Sequence, residues 1–414
     1  MFPAYSIALS ALQADSTAID VVGNDLANLN TTGYKATDLE FEDLMAQSMG
    51  TAQSSAQIGM GVGPVGTVSN YIQGTLTTTN GATDAAIQGN GFFVVQNAQN
   101  QTLYTRDGSF QVNAAGTLVT ATGEIVQGWS AVNGTVNPNG PVGDLTLPLG
   151  TTIPASATTT MGLTVNLDST STTGTSFSAP IQVFDSQGAS HTLTATFTQT
   201  SANNWGYTVT IPAADLAKGG KTTVATGTMT FGANGTLTSP LASAGPVSIS
   251  VNGLADGAAN LSISWNLFDS AGASMITQYD EASGVGNTTQ NGFAAGQITN
   301  VSLQNGGLMV ANYSNGQQST VGQLALASIP NPETLLSVGD NNLQASAATG
   351  TISVGAANTG GLGQIVAGSL ESSTVDIASE FTKLLTYERS YQAASRVITS
   401  ADTMLQDTMN LIHP

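Results

Sequence analysis

Six apolar residues near one end of the chain, Ile377, Leu384, Tyr391, Ile398, Leu405 and Ile412, are spaced by seven without a break. That period belongs to a helix that buries one narrow stripe along its whole length. Phe381 and Met409 extend the neighbouring row, and Ala394 and Ala401 are small enough to let another helix approach. Lys383, Arg389 and Arg396 stand beside Glu380 and Glu388, where charges flank such a stripe and help to set register. The opposite end repeats the pattern. Tyr5, Leu12, Ile19 and Leu26 recur every seven residues, with a second row at Ala8, Val22 and Leu29 that Asp15 interrupts. Pro3 sits where a helix start tolerates proline. Asn24, Asn28 and Asn30 then compete with helical hydrogen bonds before Gly33 and Tyr34, so the helix is expected to stop there after roughly 40 Å. One such helix could lie on a local core. Two of them, enclosing a long Gly- and Thr-rich remainder, point to pairing with each other and with copies of themselves from neighbouring subunits.

The remainder limits what chemistry is open to the chain. Charged residues are 8% of its 414 residues, and 26 acidic against 7 basic side chains leave a net charge of −19. No basic patch can be assembled from so few cations, which excludes counterion-release binding of nucleic acid and argues against an anionic membrane surface. There is no cysteine, so disulfides, thiolate nucleophiles and thiolate metal sites are excluded. The first twenty residues lack a cationic segment and carry Asp15 and Asp20, unlike a conventional secretory signal. No apolar run is long enough for a transmembrane helix, so no membrane insertion is expected.

Between the two helices the sequence predicts β structure in nested blocks. Residues 36–75 read as a connecting loop region, with acidic Asp38, Glu40, Glu42 and Asp43. Residues 61–66 spell GxGxxG, but with no preceding strand, no following helix and Pro64 inside, the dinucleotide reading fails its context. "GNGFFVVQN" reads as a buried strand entered through glycines, and "YTRDGSFQVNAAGTLV" as strands with turns at Asp107-Gly108 and at Asn113 to Gly116. A Thr/Ser-rich change of texture near 150 marks a boundary, after which apolar residues alternate with polar ones. Leu193, Ala195 and Phe197 do so, then Trp205, Tyr207, Val209 and Ile211, then Leu261, Ile263, Trp265 and Leu267. Alternation of that length means sheets with one wet face. The expected fold class is thus mainly β, in nested domains, with long α-helical coiled-coil termini and a discontinuous domain order. Its divisions are 1–35 with 370–414 (helical), 36–75 (connecting), 76–145 with 285–369 (first β domain) and 146–284 (inserted β domain).

Catalytic, metal and cofactor sites are not expected. His191 and His413 are the only histidines. His191 is expected to face solvent from the second strand of a hairpin, and His413 to lie at a fraying helix end. Acidic pairs such as Asp280-Glu281 on loops are ordinarily just solvated, and no GxSxG, P-loop or EF-hand pattern occurs.

Read together, the two ends resemble those of the flagellar rod and hook family of bacterial axial proteins. "NDLANLNTTGYK" is similar to that family's N-terminal signature, which makes Asn24, Asn28, Asn30, Gly33 and Tyr34 the matched turn positions, with a geometric role. "GNGFFVV" and "YTRDGSFQVNAAGTLVTATGEIVQGW" resemble its shared β domain, and "ERSYQAASRVITSADTML" its C-terminal helix. Tyr387-Glu388 stands where many relatives have Ala-Gln. "VFDSQGASHTLTATF" and "NNWGYTV" resemble the middle domain of hook-type members, which the shorter rod-type members lack. The resemblance implies a structural subunit, with no cofactor, that self-assembles into a curved, hollow helical tube and passes motor torque to the filament as a universal joint. A distal rod subunit is the alternative. The implied partners are further copies of the chain, the distal rod, hook cap and hook–filament junction proteins, and the type III export apparatus. The implied location is the extracellular hook, reached without a cleaved signal.

Overall fold

The computed structural model describes residues 3–44, 47–48, 57–148 and 150–412. The protein is mainly β, and among the described residues it has two α-helices, one at each terminus: α1, Pro3–Ala27, and α2, Ile377–Ile412. The chain separates into two compact units. The first comprises Met1–Leu149, Asn300–Ala311 and Gln318–Pro414; the second comprises Gly150–Thr299 and Asn312–Gln317.

In the first unit, strand Phe92–Gln96 pairs with Thr102–Thr105, Ile125–Ser130 and Leu326–Ser328. Its unbroken apolar run has a direct cause: both faces are covered. Phe93 and Val95 enter a core with Leu118, Val126, Leu324 and Ile365, while Phe92 and Val94 enter another with Tyr104, Trp129 and Ala327. Two short antiparallel pairs then join distant parts of the chain. Ala85–Gln88 pairs with Gln364–Ala367, and Leu76–Thr78 with Ser369–Glu371, which delivers the chain to the start of α2.

Residues 36–75 were expected as a connecting loop, yet Thr37–Asp43 and Val62–Ser69 form an antiparallel two-stranded ribbon. Leu39 and Phe41 alternate with Asp38, Glu40 and Glu42 along its first strand, but its described side chains are exposed or only half-buried, so no core row forms there.

The second unit is a sandwich. One sheet is the antiparallel run Ser176–Phe184, Ser190–Ser201, Asn204–Thr210, Thr223–Phe231 and Leu237–Ser239. The other orders Val247–Val251, Leu261–Asn266, Thr160–Asn166 and Ile276–Thr277, with Gly284–Gln290 also on Thr160–Asn166. The return point expected near 285 therefore falls within a strand of this sandwich. All the alternating residues named above point into its single core, with Phe197 and Tyr207 edge-on to Trp265. Each large apolar side chain so buried contributes about 1.5–3 kcal/mol relative to exposure. His191 corrects an expectation: it is buried, not solvent-facing, because it lies two positions before Leu193 on the inward row of its strand.

Candidate assembly interface

Helices α1 and α2 pack along each other in the first unit. The end of α1 faces the start of α2, with Asp25 near Glu380, so the pair is antiparallel. Within the chain, α1 buries a row of small and acidic residues: Ala8, Ala14, Asp15, Ala18, Val22 and Asp25. The larger residues of the seven-residue row, Tyr5, Leu12, Ile19 and Leu26, are only half-buried, as is Leu29. Small side chains let two backbones come close, and the pair takes that row inside. On α2, Leu384, Ile398 and Leu405 are half-buried, whereas Ile377, Phe381 and Tyr391 are exposed. Leu385, Val397, Met404 and Met409 are exposed as well, the last two to 71% and 70%. The side chain of Ile412 and the whole of His413 lie outside the described residues.

The turn after α1 is built from its own polar side chains. The Asn28 side-chain amide donates to the Asn24 carbonyl (2.9 Å), which also accepts the Asn28 backbone amide (3.2 Å). Thr31 donates to Asn28 (3.0 Å), and Asn24 donates to the Tyr34 hydroxyl (2.9 Å). Tyr34 in turn donates to Asp25 Oδ1 (2.8 Å), and the Thr37 amide donates to Asp25 Oδ2 (2.9 Å). Burial pushes the Asp25 carboxyl above its ordinary pKa, against these two bonds, and burial together with Asp25 pushes the Tyr34 phenol up strongly. Asn30 is exposed. Gly33 has φ +68°, and a Cβ there would lie 2.6 Å from the Arg106 backbone, so both conformation and space demand glycine.

Glu371, which the sequence reading passed over, gathers the turn to the start of α2. Its carboxylate meets Lys35 Nζ at 2.7 Å and Arg106 at 3.3 Å, all three side chains being buried. It also accepts the Gly74 amide (2.7 Å), and its backbone carbonyl accepts the Gly33 amide (2.7 Å). Lys35 donates further to the Ile72 carbonyl, and Arg106 to the Gly89 carbonyl while lying 5.1 Å over the Phe92 ring. Burial lowers the pKa of both cations, and Glu371 partly restores them. The signal was present in the composition: two of only seven basic residues lie inside the motifs "TTGYK" and "YTRDG".

At the start of α2, Asp376 caps the helix through the Ser379 amide (2.9 Å). Lys383 bridges Glu380 (2.8 Å) and Asp38 of the ribbon (2.6 Å). Burial alone would lower the Lys383 pKa, but the two carboxylates outweigh it and raise it. Phe41 of the ribbon lies 6.1 Å from Tyr387, and the Val62 amide donates to Ser10 (3.3 Å). The ribbon thus braces both helices. The arrangement holds a helix pair and leaves large apolar side chains of α2 exposed.

Comparison with known proteins bears on what those exposed side chains are for. Residues 6–35 match the family described as flagella basal body rod protein, and 86–170 the flagellar hook protein FlgE/F/G D1 domain. Residues 152–293 match the flagellar basal body protein FlaE D2 domain, and 366–411 the flagellar basal body rod FlgEFG protein C-terminal family. The chain is 32% identical to the flagellar hook protein FlgE of Escherichia coli (strain K12), over 99% of this chain and 100% of that one. It is equally 32% identical to FlgE of Treponema pallidum (strain Nichols), over 97% and 98%. In fold it is similar to the crystal structure of Helicobacter pylori flagellar hook protein FlgE2, with a TM-score of 0.52 at 14% identity, covering 70% of this chain and 99% of that one. With relatives matched at this identity along nearly its whole length, the chain belongs to the flagellar hook protein family.

Proposed function

We propose that the chain is a structural subunit of the bacterial flagellar hook, polymerising into an open, hollow and curved helical tube that passes motor torque to the filament. The observation that carries this is the set of large apolar side chains on α2, Ile377, Phe381, Leu385, Tyr391, Val397, Met404 and Met409, that remain exposed on a helix already paired with α1. A subunit whose complementary faces differ, and whose rotation does not close, builds an open filament. In that polymer the helix pair forms coiled-coil contacts with its neighbours and lines the inner tube, and the β units form the outer layers. Bending makes outer contacts shorten and lengthen once per revolution. A Thr- and Asn-rich surface suits that sliding, because hydrogen bonds exchanged with water are cheap to break and remake. The domain divisions expected from sequence, a helical core with two nested β domains, are the layers of this tube. Its ends would meet the distal rod, the hook cap and the hook–filament junction proteins. The subunit would reach the extracellular hook through the type III apparatus without losing a signal segment.

Electron microscopy of the purified full-length chain driven to polymerise tests this, beside the chain lacking residues 1–30. Curved hollow tubes from the full-length chain alone are expected. Straight, stiff tubes would favour a distal rod subunit instead, and absence of any polymer would remove terminal-helix assembly.

A further inference from the structure

At one end of the sandwich, three loops bring an imidazole and three carboxylates together. His191, 6% exposed, is the second residue of the second strand of the first hairpin, and Asp185, fully buried, opens the turn before it. Asp256 comes from the connection between Val247–Val251 and Leu261–Asn266, and Asp215 from the 3-10 turn Ala213–Asp215. His191 Nε2 lies 3.2 Å from Asp185 Oδ2 and 3.6 Å from Asp256 Oδ2, and the three atoms all fall within 4.8 Å of one another. We propose that His191, Asp185 and Asp256 form a binding site for a divalent transition-metal cation such as Zn²⁺.

Spacing carries the assignment first. Charge-assisted N–H to carboxylate bonds close to about 2.7–2.9 Å. Ligands about 2.1 Å from a shared ion sit about 3.0 Å apart at octahedral edges and about 3.4 Å apart at tetrahedral ones. With Nε2 protonated the 3.2 Å contact to Asp185 is a hydrogen bond, and 3.2 and 3.6 Å also lie close to ligand-edge spacing, so an ion can take the proton's place with little movement. Orientation agrees. Asp185 spends Oδ1 on the Gln187 and Ala189 amides (2.8 and 2.9 Å), and Asp256 spends Oδ1 on the Ala258 amide (2.9 Å). Each carboxylate therefore has Oδ2 turned to the same point as the imidazole.

A second observation concerns the other ring nitrogen. His191 Nδ1 is buried and makes no hydrogen bond, although Asp215 Oδ2 stands 3.2 Å away in a bent approach. A metal on Nε2 fixes Nδ1 as the protonated nitrogen and gives it Asp215 to donate to, which is the usual support of a metal-bound histidine. Charge points the same way. Even an imidazolium leaves two of the three carboxylates in excess, and among the described residues neither Lys nor Arg forms an ion pair with any of them. One nitrogen with two oxygens suits a first-row transition ion better than Ca²⁺, which takes six to eight oxygens. Asp256 is 31% exposed at its side chain, leaving a path for the ion and for water to complete its coordination. A bound ion would pin together three loops already linked by the Ala217 amide to Gly253 carbonyl bond (2.8 Å) and the Ala259 amide to Ser186 bond (3.1 Å).

The test is calorimetric titration of the full-length, metal-stripped chain with ZnCl₂, together with its melting temperature with and without the ion. One Zn²⁺ per chain is expected, with a Kd of about 10 µM or tighter and a rise in Tm of about 5 °C at hundredfold excess over Kd. Asp256→Asn, on a part-exposed loop, should weaken binding at least tenfold and leave the metal-free Tm unchanged, while His413→Ala should bind as the parent does. His191→Gln should abolish the site. No saturable binding up to about 1 mM, equal effects of Zn²⁺ and Mg²⁺, or binding that survives both Asp256→Asn and His191→Gln would overturn the proposal.

Discussion

The sandwich of the second unit and the helix pair of the first both carry apolar residues at fixed intervals, period two in one and period seven in the other. In the sandwich the rows close on each other: Leu193, Phe197, Trp205, Val209, Ile263 and Trp265 all share one core. In the helix pair they do not. α1 buries a stripe of alanines with Asp15 and Asp25, and α2 keeps large apolar side chains exposed. Equal regularity thus has two outcomes. A row that finds its complement within the chain closes a core, and one that does not is left open to a partner.

Three variants probe this division, taken in order of their effect on the single chain. Glu371→Gln leaves Lys35 and Arg106 buried without their counter-ion and should destabilise the first unit by about 3–5 kcal/mol. Hydrogen exchange read peptide by peptide should show the loss in that unit and not in the sandwich; a loss under about 1 kcal/mol would mean the cluster is not what holds the turn. Ile263→Val removes one methyl group from a closed core and should cost about 0.5–1.5 kcal/mol, confined to sandwich peptides, with polymerisation unchanged. Phe381→Ser combined with Tyr391→Ser should change single-chain stability by no more than about 0.5 kcal/mol, since both side chains are exposed. That smallest change should nevertheless abolish tubes in sedimentation and microscopy. Tubes forming at the parent's critical concentration would place assembly elsewhere.

How much of this could be read beforehand depended on whether a residue's neighbours shared its period. Strands with Thr on one face and apolar residues on the other were legible because solvent and core impose the alternation directly. The seven-residue period of the helices was legible too, but not which row the pair takes inside. A sequence reading weights large apolar residues, whereas close helix packing selected Ala8, Ala14 and Ala18 and accepted Asp15 and Asp25 between them. In the ribbon of Thr37–Asp43 and Val62–Ser69, Leu39 and Phe41 alternate with acidic residues, a signal that the acidic cluster masks because it reads as loop. His191 sat on a core-facing row that polarity disguised, and its carboxylate neighbours come from positions up to 65 residues away, at Asp256. The Glu371 cluster joins residues 35, 106 and 371, a contact that only the pairing of Leu76–Thr78 with Ser369–Glu371 brings about.

That cluster has a mechanical consequence. Residue 371 holds the backbone amide of Gly33 and the ammonium of Lys35, a few positions beyond α1, and itself lies only six positions before α2. A pull along one helix therefore reaches the other through a handful of covalent bonds and one buried ionic knot. The long β-rich detour between residues 35 and 371 is bypassed. Force applied to either helix thus has a short route to the other that does not run through the intervening strands.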